Sequence, residues 1–157
     1  RSNDPYTDGV FHMGGGTFPG PKKFKDFLDG SSHTVAASEV ISGKLEKLNS
    51  TNDADSRGVW AWNMMGSACY THFNTPNSSN GDLMWRSGND VSCLAKSPPP
   101  CDTSAGTRHD TFHAAARSFH PGGVNVVFAD GHVDFIEDEI DLAAWQALAT
   151  IAMGEIN

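Results

Sequence analysis

Three histidines in the second half of the chain have the side chains and the spacing that proton transfer or metal binding would require. His109 and His113 in RHDTFH lie four residues apart and would share one face of a helix. His120 precedes Asp130 by ten residues and could act as a general base beside it. With His120 or Asp110, His109 and His113 could also bind zinc, although the sequence has no HExxH or CxxC pattern. The structural alternative is that His120 bonds to a loop backbone and Asp130 shapes a turn.

Two polar stretches carry the hard oxygen ligands that calcium prefers. NSTNDADSRG contains Asp53 and Asp55 in an alternation loosely like the start of an EF-hand, without the usual glycine or the distal glutamate. NSSNGDLMWRSGNDVS contains Asp82 and Asp90. Calcium takes about six to eight oxygens from carboxylates, amides and carbonyls on loops. We therefore predict calcium as a cofactor with these four aspartates as ligands; the alternative is an ordinary polar loop.

The composition fits one globular domain over residues 1–157. The net charge of −8 comes from 19 acids and 11 bases. So acidic a chain repels nucleic acid and anionic lipid and favours cations as partners. The longest apolar stretches, VNVVFA and LAAWQALATIAM, are shorter than the roughly 18 apolar residues of a membrane-spanning helix.

Two of the three cysteines bracket a short proline-containing loop, CLAKSPPPC. A disulfide between Cys93 and Cys101 would stabilise the fold by about 2–3 kcal/mol. It would also place the chain outside the cytosol. The alternative is two unrelated thiols in a reduced protein. Cys69 is then left over, and its apolar surroundings favour a structural thiol over a nucleophile.

Hydrophobic periodicity indicates the elements that must position these residues. The predicted elements are a short helix over 21–30, strands over 33–42 and 59–64, and an exposed excursion over 43–58. Trp60 and Trp62 would share one face of the second strand and lie in the core. Residues 71–111 have almost no periodicity. A loop of that length needs a ligand or a crosslink to hold it.

The end of the sequence gives the clearest local signals. Apolar runs over 124–129 and 132–136 flank Asp130-Gly131, and this pattern predicts a β-hairpin with a type I′ turn. An amphipathic helix follows, with Asp141 as its N-cap and Gly154 at its end.

Two blocks of the sequence resemble a known family. ARSFHPGGVNVVFADGHVDFI resembles the signature of a large bacterial family of pilin-like proteins, the domain of unknown function 1559, in which a histidine, nine residues and Asp-Gly follow one another. Here these are His120 and Asp130-Gly131. A second block is similar over residues 24–39, FKDFLDGSSHTVAASE, which retains Glu39 and carries His33 where the family pattern has asparagine.

The resemblance implies an α+β fold, a pseudopilin-like head with an antiparallel sheet, a C-terminal hairpin and helix, and long irregular loops. Members begin with a prepilin-type leader and a long apolar helix, and this chain contains neither, so we expect membrane attachment only through that absent helix. The resemblance further implies a periplasmic or extracellular location and pilin-like subunits or secretion components as partners. Because Glu39 and Arg117 belong to the two family blocks, we predict a buried ion pair between them.

Two functions remain open from the sequence. One is a calcium-stabilised head for envelope assembly or surface display, which requires only a stable fold. The other is a calcium-dependent hydrolase of an ester or lactone, in which the metal polarises the carbonyl and His109, His113 or His120 relays the proton. The second function requires carboxylates and a histidine to converge in one cleft.

Overall fold

The described part of the chain folds around a three-stranded antiparallel sheet. The computed structural model describes residues 9–11, 22–43, 55–61, 65–84, 86–87, 90–91, 93, 100–102 and 112–151. The strands are β1 Val35–Ser38, β2 Asp82–Leu83, β3 Arg86–Ser87, β4 Asp90–Val91, β5 Cys101–Asp102, β6 Gly123–Phe128 and β7 Val133–Glu137; the helices are a 3-10 turn Phe24–Asp26 and α1 Leu142–Ala147. The main sheet has the order β1-β6-β7, and β2-β5 and β3-β4 form two small pairs. This is a mixed α+β fold.

The hairpin predicted at the end of the sequence is present, but its turn differs. Val124, Val126 and Phe128 of β6 point into the core with 0%, 0% and 6% exposure, as alternation requires. The Gly131 N–H donates to Phe128 O, and the Phe128 N–H donates to His132 O, each at 2.9 Å. A type I′ turn needs positive φ at both central residues, whereas here only Gly131 has it, at +92°.

The prediction of a two-residue type I′ turn was therefore wrong, and the loop spans residues 129–131. The segment before β1 provides the reason. Ala129 N–H donates to Thr34 O at 2.8 Å, and Asp130 N–H donates to Ser31 O at 3.2 Å. These two bonds fix the turn against a third piece of chain, and the hairpin sequence alone contains no record of that neighbour.

The C-terminal helix packs on the inner face of the sheet but is shorter than predicted. The Asp141 side chain accepts from Ala144 N–H at 3.0 Å, which confirms the predicted N-cap. Trp145 is fully buried against Val35, Val124 and Val126. α1 ends at Ala147, and the carbonyls beyond it bind other segments: Val35 N–H donates to Leu148 O and Leu28 N–H to Ile151 O. Gly154 lies outside the described residues.

Three other predicted elements need correction. The helix predicted over 21–30 is one 3-10 turn, with Phe24 and Leu28 exposed at 78% and 68%. The strand predicted over 33–42 shrinks to β1. The described residues 59–61 of the strand predicted over 59–64 are not in a strand: Trp60 and Ala61 lie in a turn, and Val59 N–H donates to Ser56 O. Trp60 is 86% exposed and is not in the core, whereas Trp62 lies outside the described residues.

The predicted disulfide joins Cys93 and Cys101, whose Cα atoms are 6.0 Å apart. Both cysteines are buried in a second small core with Met84. Cys69 is the one free cysteine, and burial raises the pKa of its thiol. A structural disulfide indicates an oxidising, non-cytosolic compartment. No helix among the described residues is long and apolar enough to cross a membrane.

Removing the disulfide should destabilise the chain without changing its fold. Cys93→Ala with Cys101→Ala releases a nine-residue closed loop, and we expect a loss of about 2–3 kcal/mol in the free energy of unfolding. Denaturant unfolding in the absence of reductant measures this loss. Cys69→Ala is the matched control and should change stability much less. A double variant as stable as the parent chain would contradict the prediction.

Candidate functional site

Residues from both family blocks, among them Glu39 and His120, line one open groove of about 350 Å³ at the end of the main sheet. Its walls are the segment that follows β1 and the segment that precedes β6: Glu39, Val40, Ile41, Ser42, Arg117, Ser118, Phe119 and His120. This is where chemistry would be expected if the signature were catalytic. The bonds of each polar side chain show what it does there.

Glu39 joins the two walls of the groove. Its Oε2 accepts from the Asn125 backbone N–H at 2.8 Å, and its Oε1 lies 3.0 Å from His120 Nε2. Its backbone carbonyl accepts from the Arg117 N–H at 2.8 Å. Side chain and backbone of Glu39 together therefore tie the end of β1 to β6 and to the segment before it.

His120 binds a carboxylate and not the loop backbone that the structural alternative predicted. Its ring lies edge-on to Phe135, with the centroids 6.5 Å apart, and its side chain is 52% exposed. Its backbone N–H donates to Ser118 Oγ at 3.0 Å, and that hydroxyl donates to Gly123 O at 2.6 Å. These bonds hold the His-Pro-Gly-Gly turn closed at the entry of β6. The arrangement therefore fixes the backbone of this turn. It does not bring Asp130 to His120.

Asp130 lies at the opposite end of the hairpin. Its Oδ1 accepts from the His132 backbone N–H at 3.1 Å and lies 2.6 Å from His132 Nδ1. The backbone N–H of His132, followed by its ring, lowers the pKa of Asp130 below its ordinary value. The His132 ring stacks on Phe128 at a centroid distance of 4.2 Å. Asp130 and Gly131 thus shape the turn, as the structural alternative predicted, and His120 and Asp130 do not form a catalytic pair.

The predicted ion pair between Arg117 and Glu39 is not formed. The Arg117 guanidinium points the other way and pairs with Asp82, with Nη2 2.8 Å from Oδ1. Only the Arg117 backbone meets Glu39. The physical reason is competition: Asp82 is 1% exposed and offers a desolvated carboxylate, whereas the Glu39 carboxylate faces the groove and already has two partners.

Four buried charges form the strongest electrostatic feature of the described residues. Asp55, Arg57, Asp82 and Arg117 are between 0% and 3% exposed and together carry no net charge. Arg57 donates through Nε to Asp55 Oδ1 at 2.9 Å, and its Nη1 lies 3.3 Å from Asp82 Oδ2. Burial alone would lower the pKa of Arg57, but hydrogen bonds and charge from Asp55 and Asp82 raise it. The Arg57 guanidinium therefore stays charged.

The oxygen atoms that looked like calcium ligands surround an arginine. Arg117 donates from Nη1 to Ser78 O at 2.6 Å and from Nη2 to Asn80 O at 3.0 Å, besides its contacts with the Asp82 carboxylate. Two loop carbonyls and a carboxylate form the kind of oxygen set that a calcium ion would use. Here a covalently attached cation takes that place and holds the 77–84 loop to the segment before β6.

Asp55 is equally committed. Its carboxylate accepts from the backbone and the side chain of Arg57. It packs directly against Gly43, where an added Cβ would come within 2.4 Å of Asp55 Oδ1, so only glycine fits there. A divalent cation at Asp55 or Asp82 would meet a guanidinium at contact distance. Asp55 and Asp82 therefore do not fit a calcium site. Of the other two predicted ligands, Asp53 lies outside the described residues, and for Asp90 the structure describes the backbone alone.

Calcium binding elsewhere on the chain stays a prediction that depends on Asp53 and Asp90. The expected result is a melting temperature that rises with calcium concentration and falls with chelator. Asp53→Asn or Asp90→Asn should abolish that rise, and Glu139→Gln, at an exposed carboxylate, should leave it intact. A melting temperature that ignores calcium and chelator would remove calcium from the description of this protein. Within the described residues, no group of three or more His, Cys, Asp or Glu side chains is placed to hold a metal.

The histidines of the proposed zinc or proton-relay set are in different surroundings. The His113 ring packs against Phe73 at a centroid distance of 4.3 Å, and its backbone pairs with Leu83. The His120 ring contacts Glu39 and Phe135 instead. His109 lies outside the described residues. The described geometry thus gives no convergence of a histidine with Asp55 or Asp82.

Sequence reasoning missed a buried histidine. His72 stacks flat on Trp145, with the ring centroids 3.6 Å apart and the planes 6° apart. Its Nδ1 lies 2.6 Å from Trp145 O, and since a carbonyl only accepts, Nδ1 carries the proton. Nε2 can then accept from the Tyr70 hydroxyl at 3.3 Å. Burial lowers the pKa of His72 to about 4 and raises that of Tyr70.

Comparison with known proteins finds a match to one family model. No curated protein and no solved structure matches the chain significantly. A family model described as "Protein of unknown function (DUF1559)" matches residues 2–143. That match covers most of the chain, including Glu39, His120 and Asp130-Gly131, so the chain belongs to the DUF1559 family.

Proposed function

We propose that this chain is the non-catalytic head of a pilin-like protein that is assembled or displayed at the cell envelope. One observation carries the proposal: the side chains of the family blocks that could do chemistry, Glu39, His120 and Asp130, are used in hydrogen bonds within the fold. Glu39 and His120 close one end of the β6-β7 hairpin, and Asp130 and Gly131 shape the other. A sequence signature whose polar residues stabilise a hairpin fits a protein whose role depends on a stable fold and not on catalysis.

The disulfide supports the location in this proposal. An oxidised Cys93–Cys101 pair fits the periplasm or the cell exterior, where pilin-like heads function. Attachment to the membrane would come from an apolar helix in the longer protein. The hydrolase alternative has less support, because the two described aspartates proposed to hold its metal are bound to arginines.

A signature with a structural role predicts a loss of stability when Glu39 is changed. Glu39→Gln replaces the acceptor of the Asn125 N–H and the partner of His120, and we expect a loss of about 1–2 kcal/mol in the free energy of unfolding. His120→Gln should cost less, because half of its side chain is exposed. Denaturant unfolding measures both. Glu137→Gln, at an exposed carboxylate on β7, is the matched control. If the free energy of unfolding of Glu39→Gln equals that of the parent chain, the signature does not have the structural role proposed here.

The cellular test uses the full-length protein in its own host. A photo-crosslinking residue in place of Phe119, which is 89% exposed, should join the head to further copies or to other pilin-like proteins. Thiol labelling in intact cells should find Cys93 and Cys101 oxidised. A head that crosslinks to no envelope protein and whose thiols are reduced would overturn the proposal.

A further inference from the structure

The charge of this chain is distributed unevenly. Residues 118–157 contain seven acids and no Lys or Arg: Asp130, Asp134, Glu137, Asp138, Glu139, Asp141 and Glu155. Most of the net charge of −8 therefore comes from the last quarter of the chain. Within the described residues, this charge collects at one place on the surface, along β7 and the turn that follows it.

Strand β7 presents these acids beside exposed apolar side chains. It is the outer strand of the order β1-β6-β7, and four of its five residues are exposed. Val133 is 62% exposed and Phe135 42% exposed on the face away from the core. Glu137 alternates onto the same face, whereas Asp134 lies between Val133 and Phe135 on the other face, and its Oδ1 accepts from the Phe135 N–H at 2.8 Å. We name Val133, Asp134, Phe135 and Glu137 the acidic edge. Exposed apolar side chains on an edge strand, ringed by charge, are typical of an interaction surface.

A second surface has the opposite charge and the same apolar character. Among the side chains that the structure describes, Arg57 and Arg117 are buried, so the bases near the surface are Lys22, Lys23 and Lys25. Phe24 and Leu28 accompany them at 78% and 68% exposure. We name residues 22–28 the basic segment. It also contains Asp26, whose carboxylate accepts from the Lys23 N–H within the segment.

The two surfaces belong to different parts of the fold. The basic segment is held to the chain beyond α1, since Leu28 N–H donates to Ile151 O at 2.7 Å. The acidic edge is held to β6 at the far side of the sheet from β1. An acidic edge facing a copy of itself would bring like charges together. An acidic edge facing the basic segment of another copy pairs opposite charges and covers Val133, Phe135, Phe24 and Leu28.

We infer that the acidic edge of one copy of this chain docks against the basic segment of the next copy. Such a contact joins two different surfaces of the same molecule, so each added copy leaves one of each surface open, and the assembly grows as a ring or an open filament. The inference rests on the proposed assembly function and names the surfaces that would carry it. Exposed charge pairs are weak and are screened by salt, so we expect this contact to be weak between free chains. Anchoring the heads side by side raises their effective concentration and therefore favours the contact.

Charge reversal tests the pairing in purified chains. Lys23→Glu with Lys25→Glu reverses the basic segment, and Asp134→Lys with Glu137→Lys reverses the acidic edge. We expect the parent chain to associate in sedimentation at up to about 1 mM, with an association constant that falls about tenfold in either variant or at high salt. An equimolar mixture of the two variants should regain the association of the parent chain, since the intact edge then faces the intact segment and the reversed edge faces the reversed segment. The variant with both reversals should associate like the parent.

Several outcomes would overturn the inference. They are a parent chain that stays monomeric at about 1 mM, an association unaffected by either reversal, and a mixture no different from its components. Cysteine crosslinking adds a geometric check in a Cys69→Ser background. Lys25→Cys mixed with Val133→Cys should give a crosslinked dimer, whereas dimers from Val133→Cys alone would show the acidic edge pairing with itself.

The same cysteine pair in the full-length protein separates this inference from the proposed function. Crosslinks through Phe119 without any between positions 25 and 133 would leave the envelope head in place and remove only this pairing of surfaces. Loss of both, with reduced thiols, would remove the proposed function as well.

Discussion

Replacing Asp82 with asparagine should destabilise the chain by about 3–5 kcal/mol, the largest effect we expect from one isosteric change. The Asp82 carboxylate accepts from Arg117 Nε and Nη2, from Arg57 Nη1 and from the Ala115 N–H. Asparagine keeps the shape but removes the charge and turns an amide toward two guanidiniums. Arg117 would then lose its carboxylate partner, and Asp55, which pairs with Arg57, would be the one buried carboxylate left in the network. With so few kcal/mol holding a domain together, this change could unfold it.

The measurement is denaturant unfolding of Asp82→Asn beside Glu139→Gln. The second variant makes the same chemical change at an exposed carboxylate and should stay within about 0.5 kcal/mol of the parent chain. Asp82→Leu with Arg117→Met separates charge from packing, because it removes a carboxylate and one of its cations together and should cost less than Asp82→Asn. A loss below about 1 kcal/mol in Asp82→Asn would mean that the network does not hold the 77–84 loop.

The network also shows where sequence reasoning reached its limit. Hydrophobic alternation located β6 and β7 because each residue's side of the sheet is set by its own neighbours in sequence. The disulfide followed from two cysteines separated by a short loop. The position of the turn at Asp130-Gly131, though not its type, and the Asp141 cap followed from local backbone preferences. All of these are short-range properties, and a sequence displays them directly.

The partners of the buried charges depend on long-range packing. Asp82 and Arg117 bond side chain to side chain although they stand 35 positions apart in the sequence. A polar stretch rich in Asn, Ser and Asp has the oxygen atoms of a calcium loop whether a metal or an arginine fills it. Arg57 stands two residues after Asp55, and that spacing was the available local signal that at least one of the carboxylates already had a cation.

The same argument explains the misplaced tryptophan. Trp60 alternates with apolar neighbours as a strand residue would, yet the chain turns there. Gly58 adopts a φ of +73° and lies against Ser42, with its N–H bonded to Gly66 O. The local pattern had the two-residue period of a strand, but the contacts of Gly58 with distant residues set the backbone conformation here. Trp145, by contrast, has the core position that Trp60 was expected to have.

Acid should destabilise this protein through His72, over a pH range set by burial. The folded-state pKa of about 4 lies below the ordinary value of 6.5, so the unfolded chain binds a proton on this ring more readily than the folded chain does. Stability contributed by neutral His72 is fully present above about pH 6.5 and is lost as the pH falls toward 4. At about 1.4 kcal/mol per pKa unit, the loss attributable to this ring is about 3 kcal/mol.

His72→Phe isolates that contribution. Phenylalanine can keep the stack on Trp145 but cannot donate to Trp145 O or accept from Tyr70, so we expect a cost of about 1–3 kcal/mol at neutral pH. Free energies of unfolding measured from pH 4 to 8 should then converge, because the parent chain loses stability on acidification that the variant has already given up. His33→Gln, at an exposed histidine, should follow the parent curve. Parallel curves for His72→Phe and the parent would mean that the buried ring does not titrate differently in the folded state, and the acid sensitivity would then have to come from the carboxylates.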